Sequence, residues 1–431
     1  MIGSLAFSSR NLVALPFVVA TACGVGGTTT PSRVAPRAAG SVLNDRGHER
    51  GRQKRPMEVL YEREAGTLSS HSVRAPDGSW TASVPGLTPP AVATIKDAVF
   101  VDSSIGSSQP VACQVYDEEL EIAGTIWQVL GMTPQHMQID SIIPWAVTID
   151  NGHPTAWLEV FYLMDRPGKG KAGGHLKLAI SARDDYPLFC SHDEVGYTES
   201  FRRVVQGFFR SFQPSQRASE PMYVDITFRY EDDVPIGFKK SVLTKEERDG
   251  YQRWTTKAML MAPAGHAKLQ LKDDREIWIL DTTGHVAFGR WTTILDGVLM
   301  LDLELERLEG NLYRYAGQLH GVPRKGEFRT MDPQGLSGAP LTARKLATHL
   351  AQSNGFSFVQ EEYVPAADPM APYHVVYYHH AEDSPGLVRL KIGDVDMLRV
   401  VDEHGMLKEE RLQLPGHRFR VSRELRKGTI R

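Results

Sequence analysis

Two short stretches concentrate the side chains best suited to chemistry. "FCSHDE" brings Cys190, His192, Asp193 and Glu194 together, and "YYHHAED" gathers His379, His380, Glu382 and Asp383. A cysteine beside a histidine is the raw material of a thiolate nucleophile, with the imidazole taking the thiol proton. Along a strand, however, Cys190 and His192 point to one face at spacing two, and no separate group orients the ring. Thiolate–imidazole pairs usually come from separate elements of a fold. Histidines and carboxylates together are metal ligands. Adjacent His379 and His380 would face opposite sides of a strand, and neither His at i and i+4 nor a CxxC pair occurs. A solvated strand end is the plainer reading of that cluster. Acidic pairs at Glu118-Glu119, Asp184-Asp185, Asp232-Asp233 and Asp273-Asp274 read as solvated turns at element ends. No GxSxG, Walker or dinucleotide fingerprint is present, so no cofactor is expected.

The third cysteine, Cys23, follows an apolar run, "LVALPFVVATA", from Leu12 to Ala22. As a helix this run would cover only about 17 Å. That cannot span a hydrocarbon core about 30 Å thick, and Pro16 disfavours an uninterrupted helix. A signal-peptide core fits it better. Two cleavage readings stand side by side. Ala20 and Ala22 form an A-x-A site that would release a secreted chain. Alternatively, Ala20-Thr21-Ala22-Cys23 resembles a bacterial lipobox, in which small residues precede a cysteine that is lipidated and becomes the mature N-terminus. Ala20 stands where lipobox proteins usually carry Leu or Val. The resemblance implies stable anchoring through several acyl chains at Cys23. Gly24, where inner-membrane lipoproteins typically carry Asp, leans the address toward the outer membrane. With Cys23 set aside, Cys113 and Cys190 remain, and in an exported protein that pair reads as a disulfide.

Residues 23–56 hold almost no large apolar side chains and cannot offset their ordering entropy, so a disordered tether is expected. Its seven basic and two acidic residues suit either an anionic surface or a solvated spacer. The whole chain, 431 residues with a net charge of -3, has no overall electrostatic pull toward nucleic acid.

The folded remainder divides by texture. Residues 57–213 mix short strands with two helices. One is "EELEIAGTIWQVLG", with Asp117 as its cap and Ile122, Ile126 and Val129 on one face. The other runs after Thr198, its expected N-cap, with Phe201, Val204, Val205, Phe208 and Phe212 in one apolar stripe. The order of strand, helix, long strands and final "F..VV..FF.SF" helix resembles PsbP-like α/β/α sandwich domains, which are mostly non-catalytic binding or assembly modules. Residues 214–221 form a linker. Residues 222–423 read as successive antiparallel strands around one helix, "APLTARKLATHLAQSNG", with 424–431 as a tail. "LMLDLELERL" alternates Leu299, Leu301, Leu303 and Leu305 against acidic residues, with a register break at Arg307.

The expected class is therefore α+β: a sandwich-like domain, then a larger antiparallel domain built as a curved sheet or half-barrel. The second domain resembles the periplasmic half-barrels of lipoprotein carriers. It is also similar, from "VPIGFKKSVLTKEERDGYQRW" to "LRVVDEHGMLKEERL", to the β-rich domain that precedes transglutaminase-like cores. These features imply a lipid-anchored envelope protein that binds a partner protein, a lipid or a wall polymer. An apolar concave face would suit an acyl chain. The alternative is an envelope hydrolase or cysteine-dependent enzyme centred on Cys190 and His192.

Overall fold

The computed structural model describes residues 63–95, 98–116, 122–131, 137–143, 146–166, 170–183, 186–215, 221–246, 250–263, 269–352, 355–393, 395–414 and 417–428. Cys23, the apolar run before it, the 23–56 tether, Asp117 and the pairs Glu118-Glu119 and Asp184-Asp185 lie outside them.

In the first half, β1 (Ser69–Arg74) and β2 (Trp80–Gly86) form a hairpin. Then come β3 (Ala91–Ile95), β4 (Ala98–Ser103), β5 (Val111–Tyr116), α1 (Ile122–Gly131), β6 (Met137–Ile143) and β7 (Val147–Asp150). The long hairpin β8 (His153–Arg166) and β9 (Gly170–Ser181) follows, then β10 (Leu188–Asp193), α2 (Thr198–Ser211) and the short β11 (Gln213–Pro214). β11 adds to the first hairpin. The other strands form an antiparallel sheet in the order β3-β4-β5-β10-β9-β8-β6, with β7 on β8. The stripe of α2 packs between the two sheets. Phe201, Val204, Val205, Phe208 and Phe212 are all buried there with Trp80, Val101 and Val115. Its entry differs from the expected cap. Tyr197, in a left-handed conformation, stands before the first turn and gives no side-chain cap. Glu64 caps instead, accepting the amides of Glu199 and Ser200 at 2.9 and 2.7 Å. A carboxylate there answers both the unpaired amides and the helix dipole.

The second half is one sheet. β12 (Tyr223–Glu231), β13 (Val234–Lys245), β14 (Gln252–Pro263), β15 (Leu269–Leu280), β16 (Val286–Leu295), β17 (Val298–Glu309), β18 (Leu312–Leu319) and β19 (Val322–Arg329) meander outward. After α3 (Ala339–Ala351), β20 (Gly355–Glu362), β21 (Tyr373–His380), β22 (Leu387–Ile392), β23 (Val395–Val401), β24 (Leu407–Leu414) and β25 (His417–Gly428) meander back. β25 pairs with β12, which makes a 14-stranded antiparallel sheet with β19 and β20 as its edges. Residues 424–428, expected in a tail, are therefore strand, because they carry the backbone partners that β12 needs.

The sheet curls until its edges approach without pairing. Phe328 and Tyr363 stack at 5.1 Å, and the Met331 amide donates to Glu361 Oε2 at 2.6 Å. Helix α3 lies against the concave side, Ala343 packing with one arm and Leu346 with the other. Gly405 lets the turn after β23 approach that helix. Its φ is 74°, and a Cβ there would lie 1.9 Å from the Ala343 carbonyl oxygen. The alternation of β17 buries Leu301, Leu303 and Leu305, and its register shifts after Arg307. Leu299 falls outside the row and is exposed, because the pairing with β16 shifts just after it, between Leu299 and Leu301. The protein is thus α+β and dominated by open antiparallel sheets; the large one curves but does not close into a barrel.

The two halves share a core. Val224, Ile226, Phe228, Phe238, Met259 and Leu271 from the convex side of the large sheet pack with Ile122, Ile126, Leu158, Val160 and Leu178 of the first half. Asp273 Oδ2 crosses the same boundary and accepts the Ala123 and Gly124 amides at the start of α1, at 2.8 and 3.1 Å.

Across β5 and β10, Cys113 and Cys190 sit directly opposite one another, with their sulfurs 2.06 Å apart in a disulfide. The bond closes a loop of 77 residues. In the entropic account this restricts the unfolded chain by about 4–5 kcal/mol. The double variant Cys113→Ser/Cys190→Ser is expected to lose about that much in urea denaturation. The wild type should show the same loss in reductant, and a loss below about 1 kcal/mol would mean that the crosslink contributes little.

Candidate functional site

The chemistry lies on the concave side of the curled sheet. In β12, Val224, Ile226 and Phe228 form the apolar row against the first half, so period two turns Asp225, Thr227 and Arg229 the other way. In β15, Lys272, Asp274, Glu276 and Trp278 make the corresponding row. With α3 and the returning strands they line a cavity of about 340 Å³.

Its lining is aromatic and ionic together. Trp254 stacks on Tyr223 at 6.0 Å, Trp291 meets Trp278 edge-on at 4.9 Å, and Tyr363 meets Trp291 at 5.2 Å. Most of the charges are matched locally. Lys272 Nζ lies 2.7 Å from Asp274 Oδ2, and Thr293 donates to Asp274 Oδ1 at 2.6 Å. Arg399 donates to Glu410 at 2.7 and 2.9 Å, and Tyr377 donates to Glu362. Burial pushes Glu276 above the usual carboxylate range and lowers Arg229 to about 10.

Two acceptors stand out. Asp225 takes a hydrogen bond from Tyr223 Oη at 3.0 Å on Oδ2, while its buried Oδ1 has no partner. Gln360 donates from Nε2 to Thr342 Oγ1 at 2.6 Å, while its buried Oε1 has none. Both residues line the cavity. An unpaired buried acceptor costs roughly 1–3 kcal/mol, so two in one cavity mark a place for a donor.

The residues singled out in the sequence lie elsewhere. Cys190 is fully buried and disulfide-bonded, so it offers no thiolate. His192 is also buried. Its Nε2 lies 3.1 Å from Ser107 Oγ, and burial reinforced by Lys177 depresses it to about 4. In the other cluster, His379 Nδ1 lies 2.6 Å from the Leu387 carbonyl, which requires the ring to donate there, and His380 is exposed. Asp383 accepts from Arg389 at 2.8 Å and from the His380 amide at 3.0 Å, while Glu382 points to solvent. Among the described residues no three His, Cys, Asp or Glu side chains converge as a metal site. Of the acidic pairs, Asp232-Asp233 does form a turn. Asp273-Asp274 lies inside β15, and this corrects the expected solvated end: Asp273 caps α1 while Asp274 faces the cavity.

The cavity residues had one visible signal. "YVDITFRYE" and "LQLKDDREIWIL" carry charge in strands with apolar alternates, a pattern that ordinarily marks a solvent face.

Neither a protein-family profile nor a curated protein sequence matches the chain. Among solved structures, a DUF1089 family protein from Pseudomonas aeruginosa is similar over 45% of this chain and 91% of its own, at 12% identity and a TM-score of 0.21. That likeness is too slight to inform fold or function.

Asp225 gives a test of the cavity's electrostatics. Burial raises its carboxyl from 3.8 to about 6, against the opposing pull of the Tyr223 hydrogen bond and the Arg423 charge. A carboxyl raised on folding holds its proton more tightly in the native state. Its contribution is therefore complete below about pH 4 and is lost as pH rises through 6. Asp225→Asn removes this loss. In urea denaturation the variant should match the wild type near pH 4 and exceed it by up to about 3 kcal/mol above pH 6. Parallel pH profiles would show that the carboxyl is not desolvated.

Proposed function

We propose that the protein is an exported, non-catalytic binding protein of the cell envelope whose curled sheet holds a saccharide unit of a wall polymer. The observation that carries this reading is the pairing, in one cavity, of tryptophan faces with the unpartnered acceptors Asp225 Oδ1 and Gln360 Oε1. A sugar ring supplies what such a site lacks: hydroxyl donors at its edge, and a C–H face that packs on an aromatic ring by dispersion. The size lies within the roughly 300–1,000 Å³ of small-molecule sites. An acyl chain, suited to a carrier half-barrel, would leave those acceptors unpaired and lie against polar and charged groups such as Glu276 and Arg229, at a cost in free energy.

Export is supported by the Cys113–Cys190 disulfide, a bond that persists in oxidising compartments. Anchoring rests on the lipobox-like residues before Cys23. The enzymatic alternative needs a free Cys190 thiolate, which the disulfide removes.

Tryptophan fluorescence titration with muramidase-released wall oligosaccharides tests the binding reading. Saturable quenching is expected, weakened about tenfold or more in Asp225→Ala and in Gln360→Ala, as for loss of a hydrogen bond to a buried acceptor. Stoichiometric uptake of a dansyl fatty acid with no response to the oligosaccharides would replace the saccharide reading with a lipid one. For the address, intact-mass analysis of the membrane fraction should find an N-terminus at Cys23 bearing diacylglycerol. A soluble, unmodified species starting there would overturn the anchor.

A further inference from the structure

Two hairpin tips project side by side from one end of the large sheet, and both are apolar. β16 turns into β17 through Leu295-Asp296-Gly297-Val298, and β18 into β19 through Leu319-His320-Gly321-Val322. Each two-residue turn takes positive φ at both positions, 50° and 77° in the first and 53° and 71° in the second. This is the tight connection whose twist matches that of the flanking strands. The His320 amide donates to the Met300 carbonyl at 2.6 Å and ties one hairpin to the other.

The tips leave apolar side chains in the open. Val298 and Val322 are 59% and 48% exposed, and Leu299 is exposed as well. Pairing sets Leu319 between Leu301 and Val322 on the concave face, with Leu295 opposite Val298. At the other end of the same strands the turns are polar, Asp281-Thr282-Thr283-Gly284 and Glu309-Gly310-Asn311. Repetition of the apolar turn in two adjoining hairpins makes a patch, where a single exposed leucine or valine would mean nothing.

Charge indicates what covers this patch. Register places Arg324 beside Gly317 on the concave face, two residues behind Val322. Arg324 is exposed and has no ion pair among the described residues. Alternation turns Asp302, Glu304 and Glu327 to the opposite face, where Arg290 and Arg314 meet them at 3.2 to 3.6 Å. Asp296, within a tip, accepts the Leu271 amide on Oδ1 at 2.8 Å. Two residues of strand cover roughly 7 Å. That separation matches the roughly 5–10 Å to which amphipathic elements enter a bilayer interface. Apolar side chains in front and a free guanidinium behind them fit acyl chains and lipid phosphate respectively.

We propose that the two tips dock on the surface of an anionic bilayer, with Val298 and Val322 entering the acyl boundary and Arg324 pairing with lipid phosphate. The contact is separate from a lipid at Cys23 and from the saccharide cavity, and it rests on neither.

Vesicle flotation of the full chain carrying Cys23→Ser, which removes any acyl chain there, tests this. Binding to vesicles of phosphatidylethanolamine with phosphatidylglycerol is expected, and weaker binding to phosphatidylcholine alone. Adding Val298→Asp/Val322→Asp should weaken binding to the anionic vesicles about tenfold or more. Arg324→Gln should weaken it about fivefold there and leave the neutral vesicles unaffected. Should the double variant unfold, as read by circular dichroism, Arg324→Gln carries the test. Absence of vesicle binding would overturn the proposal, including where the double variant abolishes a dimer instead and a second copy covers the tips. So would unchanged affinity in the folded variants, which would place the membrane contact elsewhere in the chain.

Discussion

The central strands of the large sheet are covered on both faces, and that constraint organises the molecule. A strand exposes alternate side chains to opposite sides, so each face of β12 to β15 must meet its own demand. Toward the first half the demand is apolar. Val224, Ile226, Phe228, Phe238 and Met259 meet it by fusing with α1, β8 and β9 into one core. Toward the concavity the same strands carry Asp225, Arg229, Asp274 and Glu276. A register slip of one residue would exchange the rows. It would place these charges in an apolar contact that has no partners for them, at a cost several times that of any single contact.

Curling follows from coverage of this kind. Eight strands run out, α3 crosses and six return, so the chain's two meanders meet through β12 and β25 rather than at the edges. The edges stay apart because α3 occupies the space that closure would need. Trp291, Phe328 and Tyr363 fill the remaining gap at one end. An open sheet plugged by a helix leaves a cavity between plug and wall. Here the wall is polar because the apolar row has already been committed to the other side.

Elements with strong periodicity were legible in the sequence. The stripe of α2 and the leucine row of β17 from Leu301 to Leu305 appear where their spacing places them, and the open curved sheet follows from the number of antiparallel strands. What escaped is what alternation alone cannot supply. Polar rows such as Asp225-Thr227-Arg229 read as a solvent face, because sequence periodicity distinguishes two sides without saying what covers each. The shared core was hidden for the same reason: Val224, Ile226 and Phe228 look identical whether they pack within a domain or against a neighbouring one. Asp273-Asp274 looked like a turn. Its members serve opposite faces of one strand, a distinction set by partners more than a hundred residues apart, as the contact from Asp273 to Ala123 shows. The cap of α2 was misplaced likewise, since Glu64 is remote in sequence from the amides it accepts.

Cys190 and His192 show how the same logic weighs against chemistry. Both sit on the buried row of β10, beneath the α2 stripe, where His192 lies near the rings of Tyr197 and Phe201. Burial there lowers the histidine's affinity for a proton, and Cys113 is opposite because antiparallel register aligns β5 with β10. A row that packs this closely has no room for substrate. The second half differs because its buried row has aromatic faces and ions, and two acceptors remain open. Polar groups kept inside a fold are tolerated when they are satisfied, and most lining this cavity are. Asp225 and Gln360 retain unpaired oxygens beside matched pairs such as Lys272–Asp274 and Arg399–Glu410. That contrast within one cavity separates a place shaped for a ligand from an interior that is merely polar.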